Sequence, residues 1–120
     1  MKIAVTATGP DLESQVDPRF GRCQYLMIVD PETMQFEALA NSGTMAQGAG
    51  IATGQLVASK GVKAVLTGSC GPNAHQVLSA ADIQVITGVS GSVRDAVDKY
   101  KSGQLKPSSE PDVPAHHGQR

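Results

Sequence analysis

Hydrophobic and polar positions along this chain switch between two periods, and the switches mark its elements. Lys2 to Ala7 reads as a buried strand, with Ile3 and Val5 on one face and Ala4 on the other. Thr8-Gly9-Pro10-Asp11 ends it, and residues 9–23 then show little periodicity, which predicts a long loop. Long loops inside compact domains often carry function. Tyr25 to Val29 is a second strand. Asp30-Pro31-Glu32-Thr33 is a turn with proline at its second position. Met34 to Ala40 alternates, with Met34, Phe36 and Ala38 on one face, so the two strands form a hairpin.

Asn41 to Gly50 is a glycine-rich loop, followed by a helix to about Lys60. Ala49, Ala52 and Leu56 mark the apolar face of that helix. Gly54 weakens it or lets it pack close to the sheet, and Gly61 is a C-terminal stop. Val62 to Thr67 is a strand, apolar throughout except at Lys63. The turn Gly68-Ser69-Cys70-Gly71 leads to Pro72, which suits the first position of a helix because its missing N–H costs nothing there. A helix over Asn73–Ala81 places Ala74, Val77, Leu78 and Ala81 on one face. Ile83 to Thr87 is the last strand and Gly88-Val89-Ser90-Gly91 a third loop. Ser92 caps a final helix, with Asp95 in the place a capping box gives to Glu. Val93, Ala96, Val97 and Tyr100 form its buried stripe.

The order β-β-β-α-β-α-β-α predicts a single α/β domain over residues 1–105 with a five-stranded mixed sheet. The last three strands are parallel through right-handed crossovers. A meander of the first three makes the first strand parallel to the third, with the second antiparallel between them. The loops after strands one, three, four and five then share one edge, the carboxyl end of the parallel strands, where open α/β sheets bind ligands. Arg19, Arg22, Cys23, the 43–50 loop, Ser69 to His75 and Gly88 to Ser92 all fall there. Up to three helix N-termini point into it, each offering free N–H groups and a partial positive charge.

Composition narrows the chemistry. The chain has 120 residues, no Trp, two Phe and two Tyr, so small aliphatic residues fill its core. A net charge of −1 gives no general pull toward nucleic acid or anionic membrane. Cys23 and Cys70 make neither a disulfide framework nor a CxxC pair. Free thiols, the absence of a signal-like start and the lack of a membrane-length apolar run predict a cytoplasmic domain. From Ser102 the pattern stops, and the proline-rich composition of residues 106–120 predicts a flexible tail.

The edge is rich in cations and N–H donors. Arg19 and Arg22 flank Phe20-Gly21, and arginine suits a large, weakly hydrated anion. Two thiols and His75 suit a soft metal. Convergent carboxylates for Mg²⁺ are missing, since Asp11, Glu13 and Asp17 lie in the 9–23 loop and the first strand carries no acid. No Walker sequence and no GxSxG occurs. Gly48-Ala49-Gly50-Ile51-Ala52-Thr53-Gly54 imitates a dinucleotide fingerprint but does not follow the first strand. Each candidate also has an ordinary reading: solvated loop arginines, a buried structural Cys23, an exposed turn thiol at Cys70, and a His75 that covers its own helix.

Val16-Asp17-Pro18-Arg19-Phe20-Gly21-Arg22-Cys23, Gly48-Ala49-Gly50-Ile51, Gly71-Pro72-Asn73-Ala74 before Val77-Leu78, and the Gly91–Tyr100 segment occur in that order. Together they resemble the dinitrogenase iron–molybdenum cofactor biosynthesis family over residues 1–105. The resemblance implies a ribonuclease-H-like fold and a non-catalytic carrier or scaffold for an anionic metal–sulfur cluster. In such proteins the ligand is an iron–molybdenum cofactor or its precursor, or a molybdenum–copper sulfide cluster held largely without covalent bonds. Edge and motifs together single out Arg19, Phe20, Gly21, Arg22, Gly48, Gly50, Ser69, Gly71, Asn73, Gly91 and Ser92 for holding the cluster. Cys23, Cys70 and His75 are the candidates for direct bonds to metal. Two other readings stay open at this point. One is an enzyme on a phosphate-bearing small molecule with His75 as base. The other is a module that binds a partner protein through this edge or the tail.

Overall fold

Ile3, Val5 and Ala7 point to one side of the first strand and Ala4 to the other, and all are buried, so this strand needs cover on both faces. The computed structural model, which describes residues 2–41 and 49–105, supplies that cover. Its elements are β1 (Ile3–Ala7), β2 (Tyr25–Val29), β3 (Phe36–Ala40), α1 (Ala49–Ser59), β4 (Ala64–Leu66), α2 (Pro72–Ala80), β5 (Gln84–Ile86) and α3 (Val93–Lys101). The sheet order is β3-β2-β1-β4-β5, with β1 at the centre. β2 pairs antiparallel with β1 from Ile3↔Val29 to Ala7↔Tyr25, and with β3 from Tyr25↔Ala40 to Val29↔Phe36. β4 is parallel to both β1 and β5. The meander and the parallel crossovers follow the sequence expectation.

Two cores flank the sheet. Ile3, Val5, Met27, Val29 and Leu66 pack with Val93, Ala96 and Val97 of α3. Ala4, Leu26, Ile28 and Val65 pack with Val57 of α1 and with Ala74 and Leu78 of α2. Each fully buried leucine or valine contributes about 1.5–3 kcal/mol through water released from its surface. No helix among the described residues is long and apolar enough to cross a membrane. Gly48 and the 106–120 tail, each given a part by the sequence, lie outside the described residues.

Several boundaries move. Met34 is not in a strand: it sits at φ 64 in the hairpin turn, its N–H donating to the Asp30 carbonyl at 2.7 Å. β4 and β5 have three residues each, although Lys63 N–H still donates to Lys2 and Thr67 N–H to Ile86 beyond them. The face that α1 buries is Thr53, Gly54 and Val57, whereas Ala52 is exposed. Gly54 meets α2 rather than the sheet, since a Cβ there would lie 3.1 Å from Val77 Cγ1.

Residues 9–23 are a fastened strap. Leu12, Val16, Phe20 and Cys23 are buried. Bridges join Val16 to Ala7, Gln15 to Ser92 and Arg19 to Ser69. The strap therefore ties together the ends of β1, β4 and β5 at the carboxyl edge.

Candidate functional site

The strap turns at Asp17, whose side chain is 1% exposed. Its Oδ1 accepts from the Arg19 N–H at 3.1 Å and its Oδ2 from the Gln24 N–H at 3.2 Å. The backbone of Asp17 is fixed on β1: its N–H donates to the Thr6 carbonyl at 2.9 Å, and the Thr6 hydroxyl donates to its carbonyl at 2.8 Å. The Thr6 and Thr67 hydroxyls, both fully buried, lie 2.9 Å apart and join the ends of β1 and β4. Composition alone hides these residues, because a threonine ending an apolar strand and an acid in a loop are both commonplace.

Next to this polar hinge the chain passes very close to the β4–α2 turn. A Cβ on Gly68 would lie 2.6 Å from Pro18 Cα, so only glycine admits the approach. The Ser69 hydroxyl donates to the Pro18 carbonyl at 2.8 Å, and the Ser69 carbonyl accepts from Phe20 N–H at 3.1 Å. Ser69 thus joins strap and turn. Phe20, expected at the edge, is 2% exposed and packs in the core beneath it. Its burial turns the neighbouring arginines outward: Arg22 is exposed and the Arg19 side chain is 60% exposed. Arg19 Nε lies 3.7 Å from Asp17 Oδ1.

A second support holds Gly21 and Cys23. Asn41 Nδ2 faces the Gly21 carbonyl at 3.3 Å, the Cys23 carbonyl at 3.0 Å and Thr53 Oγ1 at 3.4 Å. The Thr53 hydroxyl reaches the Gly21 carbonyl at 3.3 Å. Strap, β3 and α1 are thereby linked around Arg22.

The helix starts differ. Gly71 precedes α2 with extended backbone and no side chain caps the helix, so the Asn73 and Ala74 N–H groups carry the partial positive charge of its first turn. The Arg19–Ser69 bridge holds the Arg19 backbone against the turn that leads into Gly71 and α2. The start of α3 is closed instead. Val93 N–H donates to Ser14 and Arg94 N–H to Leu12, both at 2.9 Å, and Ser92 Oγ accepts from Asp95 N–H at 3.1 Å. The Gly91 carbonyl accepts from Val16 N–H at 2.8 Å. Gly91 and Ser92 therefore serve strap and cap, and the expectation of three open helix starts is reduced. Gly50 lies in the first turn of α1.

The candidate metal-binding side chains, Cys23, Cys70 and His75, make no three-donor set. Cys70, expected to be exposed, is 1% exposed, because its side chain turns under α2 into the same core as Cys23. Cys23 is fully buried, and burial pushes its thiol up to about 12, outweighing the lowering effect of its Asn41 hydrogen bond. A neutral thiol is a poor ligand and nucleophile. His75 is half-buried, with Nδ1 3.4 Å from Ser79 Oγ and a buried Nε2 that has no partner. Among the described residues no group of three or more His, Cys, Asp or Glu is placed to hold a metal ion. Among the described residues, the edge offers two arginines, the open start of α2 and a rigid mount for Arg19, an arrangement that fits a bulky anion better than a bare cation.

The family model described as dinitrogenase iron–molybdenum cofactor matches residues 1–103. The apo form of the orange protein from Desulfovibrio gigas superposes with a TM-score of 0.89 at 42% identity, covering 93% of this chain and 96% of that one. A NifB-like protein from Thermotoga gives a TM-score of 0.77 at 34% identity, covering 88% and 91%. An uncharacterised protein of Methanocaldococcus jannaschii is 29% identical over 110 residues, 88% of this chain and 90% of its own length.

Proposed function

We propose that this chain, which belongs to the dinitrogenase iron–molybdenum cofactor family, is a non-catalytic carrier of an anionic, molybdenum-containing metal–sulfide cluster. The observation that carries the reading is the conjunction of Arg19 with the uncapped start of α2 on a fastened strap. A soft, multiply charged anion gains from the spread charge and donor fork of a guanidinium and from free helix N–H groups. Arg19, Arg22, Gly21, Gly50, Gly71 and Asn73 are the described residues we assign to this site, and the Gly-Ala-Gly motif adds Gly48.

The cluster is held by charge and hydrogen bonds rather than by bonds from protein to metal. The lack of a three-donor set among the described residues and the burial of both thiols support that. We read the cargo as a molybdenum–copper sulfide, in which the demand of soft Cu(I) is met by the cluster's own sulfides. The alternative is an iron–molybdenum cofactor or precursor, the ligand named in the family's description. The fold is taken as ribonuclease-H-like, a reading with which the strand order β3-β2-β1-β4-β5 agrees.

The test is metal analysis with a visible spectrum on anaerobic protein after addition of tetrathiomolybdate and Cu(I). Stoichiometric molybdenum and copper with charge-transfer bands are expected. Arg19→Ala combined with Arg22→Ala is expected to abolish uptake while circular dichroism stays unchanged. Undiminished uptake by that variant sinks the site assignment. Uptake of iron with molybdenum instead selects the alternative cargo, and no uptake of any metal ends the carrier reading.

A further inference from the structure

We propose that Asp17 is the positioning residue of this site, its buried carboxylate holding Arg19 beside the start of α2. The inference rests on the anion-carrier reading but has a readout independent of it.

A carboxylate that is 1% exposed is costly unless its oxygens are satisfied. Asp17 spends both on the strap: Oδ1 on the N–H of Arg19 and Oδ2 on the N–H of Gln24. Bonds from N–H to an ionised carboxylate are the strong kind. The bond to Arg19, two residues on, fixes the turn from which that side chain leaves. The same Oδ1 lies 3.7 Å from Arg19 Nε, beyond hydrogen-bond length but within ion-pair reach. The inner edge of the guanidinium is drawn to Asp17 while the group remains largely in solvent, its terminal amino groups available to an anion. Asp17 itself cannot touch a ligand, since strap and β1 enclose it. Its backbone is pinned in turn by Thr6, which meets Thr67 at the end of β4. Asn41 and Thr53 hold the Gly21 carbonyl beside Arg22, whereas Asp17 bonds the Arg19 N–H directly.

The simplest electrostatic expectation has the opposite sign. A negative charge next to an anion site repels the anion, so removing it should tighten binding. Positioning predicts a loss. With tetrathiomolybdate and Cu(I) as probe and the full chain as protein, Asp17→Asn is expected to weaken binding about tenfold. In an Arg19→Ala background the same change is expected to have no further effect. Tighter or unchanged binding in Asp17→Asn overturns the proposal. So does an equal loss in both backgrounds, which would mean a general loosening of the strap. Ligand-free wild-type protein gives a second measurement that needs no variant and no cargo. The Arg19 backbone N–H, bonded to Asp17 Oδ1 at 3.1 Å, is expected to exchange with water at least about tenfold more slowly than the same amide in an unfolded chain at the same pH. An exchange rate equal to that of the unfolded chain removes the hold of Asp17, whatever the protein carries. Failure of the wild type to take up the cluster would instead sink the carrier reading alone.

Discussion

Cys23 shows how burial sets chemistry at the scale of one residue. Its thiol ionises near the ordinary value of 9.0 in the unfolded chain but only at about 12 in the folded one. The folded state therefore holds its proton longer, and the Cys23 contribution to stability is complete below pH 9 and is lost as the pH rises toward 12. Denaturant midpoints are expected to fall more between pH 8 and 10.5 in the wild type than in Cys23→Ala; equal slopes would refute a buried, protonated thiol. The arginines were legible because a short motif frames them, with Phe20 and Gly21 between. Asp17, Thr6 and Thr67 were not, because what makes them matter is a set of partners far away in the chain: the two threonines are 61 positions apart. Cys70 misled because a Gly-Ser-Cys-Gly turn reads as exposed, while the direction of its side chain depends on how α2 seats on the sheet.

Among the elements, α2 and α3 were readable from their ends, with Pro72 opening one and Ser92 with Asp95 opening the other. What the ends could not tell is that the strap closes α3 and leaves α2 uncapped. The α1 face was misjudged because alanines surround it, and its packing is decided by Gly54 lying against Val77. The strap itself left a trace in Leu12, Val16, Phe20 and Cys23, apolar residues spaced through a polar stretch. Its tightest passage, Gly68 against Pro18, is backbone on backbone and cannot yield by a rotamer change. Gly68→Ala is expected to cost about 1–3 kcal/mol in a denaturation experiment. Because it separates Arg19 from Ser69, it should weaken cluster uptake as well. Full stability in that variant would mean the strap can lift without strain.

For the whole molecule, strand order followed from chain order because hairpins and right-handed crossovers leave few arrangements. β1 is central and covered on both faces, whereas β3 is an edge strand with Phe36 43% exposed. Hydrogen exchange is expected to be slowest at the β1 amides and fastest among strands at β3; the reverse order would contradict this layering. The strap has a further consequence, in the timing of assembly. Its fastenings reach Ser69 and Ser92, late in the chain, and contacts between such distant positions form slowly. On a ribosome, Arg19 emerges early but has no place to rest until β4, α2 and the start of α3 have followed it. On the carrier reading, a half-made chain is therefore unable to take on cargo, and loading waits for a finished fold.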